Sequence, residues 1–469
     1  AASAWLILFA TSCTDRDALD TVSPPLLKDA GSPISQIDAA PLAWRRGNTR
    51  STLADAVGVW NDNIVRFCIL AETSPPQESR IYAMASVVIH DVMNAVDRRY
   101  EPYVYGTPVT EPVSVEAAIA TGTHDVLAAI GSTMPDPGPL EFIDEAYTEY
   151  LSALGVAGPI TRGVQLGHDA AASLLASRQN DGSNGPPASL FVSSGEPGAY
   201  RPTLLPSPNG LTGLAALGTW GTVRTFVLTS ADQFRPPPMY GASTVAEAVA
   251  TPAYLADYAE VKRLGGVVSE RTQEQSDIGL FWDENTVPGW NRIARTLGAQ
   301  RHLDAWNLAR LTAQVSLAIA DGYISVFEAK YHYKFWRPVT AIRLGNMDAS
   351  TPGDLTWDVA TTAAGLGPTP PIPEYSSAHA VAASAAAEAI MANLDGPARF
   401  TVESATLPGK PRSFNSIADA VKENADSRIY IGYHFREATR IGTEQGRQIG
   451  QYVASHALQR IHTSRGPGL

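Results

Sequence analysis

Three short segments in the last third of the chain place basic residues and histidines where they can converge on one oxyanion: 330–338 (KYHYKFWRP), 375–379 (YSSAH) and 427–434 (SRIYIGYH). Lys330 and Arg337 are seven apart, so on one helix they share a face about two turns, or roughly 10 Å, apart. Two cations at that separation can bracket a small anion. Ser377 and His379 follow a turn rich in proline (Pro370, Pro371, Pro373) and open an alanine-rich run that reads as a helix. Its first backbone N–H groups would point at the same anion. A third helix would return Ser427 and His434 to one face, with the long Arg428 side chain swinging inward. The inventory is three cations, a hydroxyl, backbone donors and two imidazoles. It suits a tetrahedral oxyanion such as phosphate or vanadate, with imidazole left for proton transfer or for bonding to the central atom.

Taken singly these segments have ordinary readings. A Lys–Arg pair at helical spacing is usually a solvated face, and a Ser-x-His turn is usually a helix cap. Their joint occurrence, in this order, is what carries the reading. Lys, six residues, Arg-Pro, then Ser-x-His, then Ser-Arg, five residues and His resembles the signature of vanadium-dependent haloperoxidases and their relatives, the type 2 acid phosphatases of the type 2 phosphatidic acid phosphatase superfamily. The resemblance to the bacterial haloperoxidase-like branch extends loosely from Asp55 to Gln451.

The resemblance implies that Lys330, Arg337 and Arg428 neutralise the equatorial oxygens of bound vanadate, or of phosphate in its place, while Ser377 and the Ala378 N–H donate to them. His379 would be the acid–base residue. His434 would be the axial ligand to vanadium, or the nucleophile on phosphorus in a phosphatase. Asp283, in the segment FWDEN, is the candidate to pair with Arg428. Three positions depart from the family pattern. Ala378 replaces a glycine, so alanine must fit the backbone angle there. Ala438 stands where many members carry Asp, which removes that route to orienting the imidazole. Ile372 stands where characterised haloperoxidases place Phe or His, which bears on halide preference.

The activity implied is oxidation of halide by hydrogen peroxide, with an organic substrate as a further acceptor. One alternative is a phosphomonoesterase using the same pocket. Another is a non-catalytic oxyanion-binding protein. The length of the chain and its long N-terminal helical half favour the peroxidase branch over the short phosphatases.

Net charge is −12 and no basic run occurs, which argues against nucleic acid as a partner. Homo-oligomerisation is compatible with the composition. Cys13 and Cys68 provide no disulfide framework, and Cys68 reads as a small buried hydrophobe. Residues 4–10 (AWLILFA) followed by Thr11-Ser12-Cys13 resemble the end of a secretory segment meeting a lipoprotein-type cleavage site, or else an apolar arm packed on the body. The first reading implies an extracytoplasmic protein, secreted, periplasmic or lipid-anchored. No run approaches the roughly 20 apolar residues of a transmembrane helix.

Helix-period patterns occur at 53–71, 79–96, 113–130, 140–154 and 161–177. An irregular stretch dense in Gly, Pro and Ser follows, over 179–241. Helical patterns resume at 243–264, 270–285, 291–297, 302–333, 378–394, 416–435 and 439–458. Alternating β patterns are scarce, and no internal repeat or Rossmann, P-loop or zinc motif is visible. The expected fold is all-α, with an N-terminal helical half and a C-terminal bundle that carries the site, and the resemblance implies two packed four-helix-type bundles. The expected division is an arm (1–50), an N-terminal helical half with its long connection (51–241) and a C-terminal bundle (242–469). His90 and His124 read as core residues, and His332 as supporting structure. Phe327, Phe335 and Trp336 read as apolar walls beside the cations, or as core.

Overall fold

The computed structural model describes residues 53–345 and 351–461. The N-terminal segment containing Cys13 lies outside them. Five helices come first: α1 (Leu53–Leu70), α2 (Pro75–Val96), α3 (Val115–Gly131), α4 (Gly138–Leu154) and α5 (Gly158–Ser177). The long connection that follows carries an antiparallel pair, β1 (Ala188–Val192) with β2 (Thr212–Ala216), in register Leu190 to Leu214. Next come α6 (Val245–Val249), α7 (Pro252–Leu264), α8 (Gln273–Phe281), α9 (Thr286–Gln300) and the long α10 (Ala305–Tyr333). The chain ends with α11 (Pro338–Leu344), α12 (Ala360–Ala363), α13 (Ala378–Asn393), a second small pair β3 (Phe400–Val402) and β4 (Arg412–Phe414), α14 (Ile417–Tyr430) and α15 (Arg436–His456).

The helical reading of the sequence holds, with local differences that have physical causes. The pattern over 243–264 breaks in two because Pro252, which cannot continue a helix, opens α7 behind the N-cap Thr251. The pattern over 416–435 stops at Tyr430, since Gly432 takes φ +83° and turns the chain back so that the Tyr433 N–H donates to the Arg428 carbonyl. The stretch over 179–241 is not wholly irregular. It contains the first hairpin.

The two halves are built on one plan. Helices α3 and α13 are each N-capped by serine, Ser114 and Ser377. Against them pack α5 and α15 through glycines: a Cβ on Gly163 would strike the Ser114 carbonyl, and one on Gly442 the Ser377 carbonyl. One turn on, Gly167 meets the Ala118 carbonyl and Gly446 the Val381 carbonyl, each four residues past its serine. Where α2 crosses α10, Ser86 Oγ and Ser316 Oγ are 3.2 Å apart. Five residues beyond each serine stands a buried carboxylate that captures three consecutive backbone N–H groups. Asp91 takes those of Tyr103, Val104 and Tyr105, and Asp321 those of Phe226, Val227 and Leu228.

One buried apolar cluster runs through both sets of helices, from Trp60 and Phe67 to Val381 and Ile449. A second, aromatic-rich cluster (Tyr254, Trp336, Tyr375, Phe435) sits at the end of α10. Among the described residues no helix is long and apolar enough to cross a membrane.

Candidate active site

The expected residues converge at the junction of α10, α13, α14 and α15, by a different route from the helical faces read in the sequence. Lys330 lies in the last turn of α10, which ends at Tyr333 behind Lys334 in the left-handed conformation (φ 52°). Arg337 is the N-cap of α11. The two cations thus meet across a chain reversal and do not share a helix face. Similarly, α14 ends before His434, so Ser427 and His434 are not on one helix. Ser427 is buried, and its hydroxyl donates to the Asn424 carbonyl.

Each cation is buried and held. Lys330 Nζ donates to the carbonyls of Pro373 (2.9 Å) and Glu374 (2.8 Å). Arg337 donates from Nε to the Ile372 carbonyl (2.8 Å) and from Nη1 to the Tyr433 carbonyl (3.0 Å), with Nη1 also 3.2 Å from His434 Nε2. Arg428 donates to the Trp282 carbonyl (2.9 Å) and to Asp283 Oδ1 (2.9 Å), while its buried Nε has no hydrogen-bond partner among the described residues. Ser377 caps α13, so the Ala378 N–H is one of those that a helix leaves without an internal acceptor. Ala378 is the first residue of that helix and needs no glycine-only angle. His379 and Ile372 are half-buried, while Ser377 and His434 are buried.

Both imidazoles are pushed well below the ordinary histidine range. For His379 burial is the main cause, followed by the charges of Arg428, Arg337 and Lys330. For His434 it is burial, then Arg337, Lys330 and Arg428. Both rings are therefore neutral. Three cations face the Asp283 carboxylate and Glu374, whose carboxyl burial pushes up to about 8 against the pull of Lys330 and Arg337. The local excess of positive charge calls for an anion.

The sequence reading missed two contributors. Glu374 Oε1 lies 2.9 Å from His434 Nδ1 and accepts from the Phe435 N–H, also at 2.9 Å. The Glu284 carbonyl lies 3.4 Å from His379 Nε2. The Glu284 carboxylate is clamped by Arg292 (2.9 and 2.5 Å) and by the Ala405 N–H (3.3 Å). Glu374 had one signal, an acidic residue inside a proline-rich turn. Glu284 acts through its backbone, which no side-chain pattern announces.

The other expectations sort plainly. His90 is buried beside Asp91 (3.0 Å). His124 is less buried than a core reading implies and lies between Asp125 and Asp144, both at 2.9 Å. His332 is exposed and makes an edge contact with Tyr333. Phe335 and Trp336 belong to the aromatic cluster and Phe327 to the main core. An open groove of about 450 Å³ between Gln300, Arg399 and the β3–β4 pair contains none of these residues.

The family described as VCPO second helical-bundle domain matches residues 310–463. The likeness to that domain is confined to the C-terminal part of the chain. Vanadium chloroperoxidase of Curvularia inaequalis is 25% identical over 223 residues, covering 36% of this chain and 37% of that protein, so the match spans little more than a third of the curated relative. The crystal structure of a bacterial vanadium-dependent iodoperoxidase superposes with TM-score 0.71 at 24% identity, over 88% of this chain and 99% of that one. A holo-type bacterial vanadium-dependent chloroperoxidase gives 0.60 at 16% identity, over 81% and 92%. The fold is shared with these structures, and the matched segment contains Lys330, Arg337, Ser377, His379, Arg428 and His434. Asp283 and Glu284 lie outside the matched segment.

Proposed function

We propose that this chain binds vanadate and oxidises halide with hydrogen peroxide. The observation that carries the reading is the convergence of three buried cations and a neutral imidazole, His434, whose Nε2 faces Arg337 at 3.2 Å. The residues fit the group: the charge excess, the partnerless Arg428 Nε and the open N-terminus of α13 are donors for a tetrahedral oxyanion. Lys330, Arg337, Arg428, Ser377 and the Ala378 N–H would hold its oxygens, and His434 would bind the metal. Bound vanadate would supply a Lewis-acidic centre at which peroxide reacts with halide without a change in the metal's oxidation state.

The protein's own work is then binding and proton handling. Arg428 is held by Asp283 and the Trp282 carbonyl, so its remaining N–H groups are fixed in direction. His379, neutral and half-buried, can take a proton from incoming peroxide and return it to the product. Ile372 packs against the main apolar core, and its carbonyl accepts from Arg337. The names of the relatives, iodoperoxidase and chloroperoxidase, support the reaction class and leave the halide open.

The test is to strip the protein, add vanadate, and compare iodide, bromide and chloride oxidation with p-nitrophenyl phosphate hydrolysis by the stripped form. Halide oxidation that appears only with vanadate, and that phosphate suppresses by competition, is the expected result. Ester hydrolysis with no halide oxidation would make the chain a phosphatase. Binding of vanadate or phosphate without either turnover would make it an oxyanion-binding protein.

A further inference from the structure

We infer that Glu374 is the positioning residue that fixes the tautomer of His434, in place of the acidic residue that position 438 lacks. This rests on the reading of His434 as the side chain that meets the oxyanion's central atom. The geometry constrains both ring nitrogens. Nε2 lies 3.2 Å from Arg337 Nη1, and a guanidinium has only hydrogens to offer, so Nε2 must present a lone pair. The ring proton of the neutral imidazole then belongs on Nδ1, which lies 2.9 Å from Glu374 Oε1. The opposite tautomer would set a ring N–H against the guanidinium.

Glu374 also locks orientation. Its Oε1 accepts from the Phe435 N–H as well, so one oxygen ties the ring to the backbone of the next residue and restricts rotation of the imidazole. Its own carbonyl accepts from Lys330 Nζ. One residue thus steers the imidazole through its side chain and the nearest ammonium through its backbone. Ala438 is a fully buried methyl and can do neither. In the sequence, Glu374 lies three positions before Ser377, whose N–H donates to the Ala438 carbonyl, so the acidic support comes from a different segment of the chain.

The role predicts a separation that general destabilisation would not produce. Phosphate is held by the cations and backbone donors, whereas vanadate also needs the Nε2 lone pair. Glu374→Met, similar in length but without an acceptor, should weaken vanadate binding to the metal-free protein about 10–100-fold, the usual scale for losing a ligand's hydrogen-bond partner, and leave phosphate affinity within about threefold. Glu374→Gln, whose amide oxygen can still accept both N–H groups, should stay close to the parent for both anions.

The direct readout is the imidazole nitrogen spectrum of the metal-free protein labelled at histidine. His434 should carry its proton on Nδ1 in the parent and in Glu374→Gln, and shift toward Nε2 in Glu374→Met. A parent spectrum with Nδ1 bare would overturn the inference without any variant. Equal losses of vanadate and phosphate in Glu374→Met would also overturn it, by reducing Glu374 to a packing residue. A parent with the stated tautomer that binds phosphate but not vanadate would instead overturn the proposed cofactor and leave the tautomer assignment standing.

Discussion

His379 and His434 share an electrostatic environment but differ in what they touch, and that separates their expected phenotypes. His434 is enclosed by Arg337 and Glu374, whereas His379 sits half-exposed, with the Glu284 carbonyl 3.4 Å from its ring. His379→Ala should leave vanadate affinity largely intact, since three cations remain, and cut halide turnover by about a hundredfold or more. Parallel titrations of vanadate binding and turnover would check this. His434→Ala should lose vanadate itself. Both rings are neutral when folded, with affinities for protons below that of an unfolded histidine, so the unfolded chain takes up more protons as pH falls through about 6.5. Each ring therefore lowers stability toward acid, and each Ala variant should unfold less steeply with acid than the parent below pH 6.5, measured by chemical denaturation. Residue types and order made these positions legible. The Glu374 contact was not, because it depends on a turn returning one acidic side chain to a ring sixty positions away.

At the scale of helices, the contact between α13 and α15 positions Ser377 and Ala378, and it depends on missing side chains. Gly446→Ala would drive a methyl against the Val381 carbonyl. The strain should cost about 1–3 kcal/mol and displace the start of α13, so oxyanion affinity should fall with stability. Gly167→Ala makes the matching insult in the first half, against the Ala118 carbonyl and Thr121. It should cost similar stability and leave vanadate affinity at the parent value. Thermal unfolding with anion titration on both variants separates the two effects. The helices themselves could be read from apolar periodicity and proline placement. The plan shared by α3–α5 and α13–α15 could not, because the serine caps and glycines recur across intervening chain of unequal length, 49 residues from Ser114 to Gly163 and 65 from Ser377 to Gly442. No fixed period results.

Across the whole molecule, the first set of helices reaches the site through Glu78. This buried carboxyl on α2 accepts from the Asn285 amide, in the same short loop as Asp283 and Glu284. Burial raises it to about 8, the Asn285 hydrogen bond pulls it down and Glu284 adds to the rise. A carboxyl raised on folding holds its proton while the unfolded chain releases it, so it costs stability as pH climbs from about 4.5 toward 8. Glu78→Gln keeps an acceptor for Asn285 and removes the ionisation. Its denaturation midpoint should fall less than the parent's between pH 5 and pH 8, and an unchanged slope would show that Glu78 is not the group responsible.

The loop at 283–285 also sets what can be cut from this protein. The segment matching the VCPO second bundle begins at residue 310, downstream of the Trp282 carbonyl and Asp283 carboxylate that hold Arg428 and of the Glu284 carbonyl beside His379. Excised as a module, 310–463 would keep all three cations and both imidazoles, yet it would expose a guanidinium stripped of both acceptors and one flank of the His379 ring to water. The stretch that homology recognises is thus smaller than the stretch that must travel with it, and any chimera or minimal fragment would have to start no later than α8.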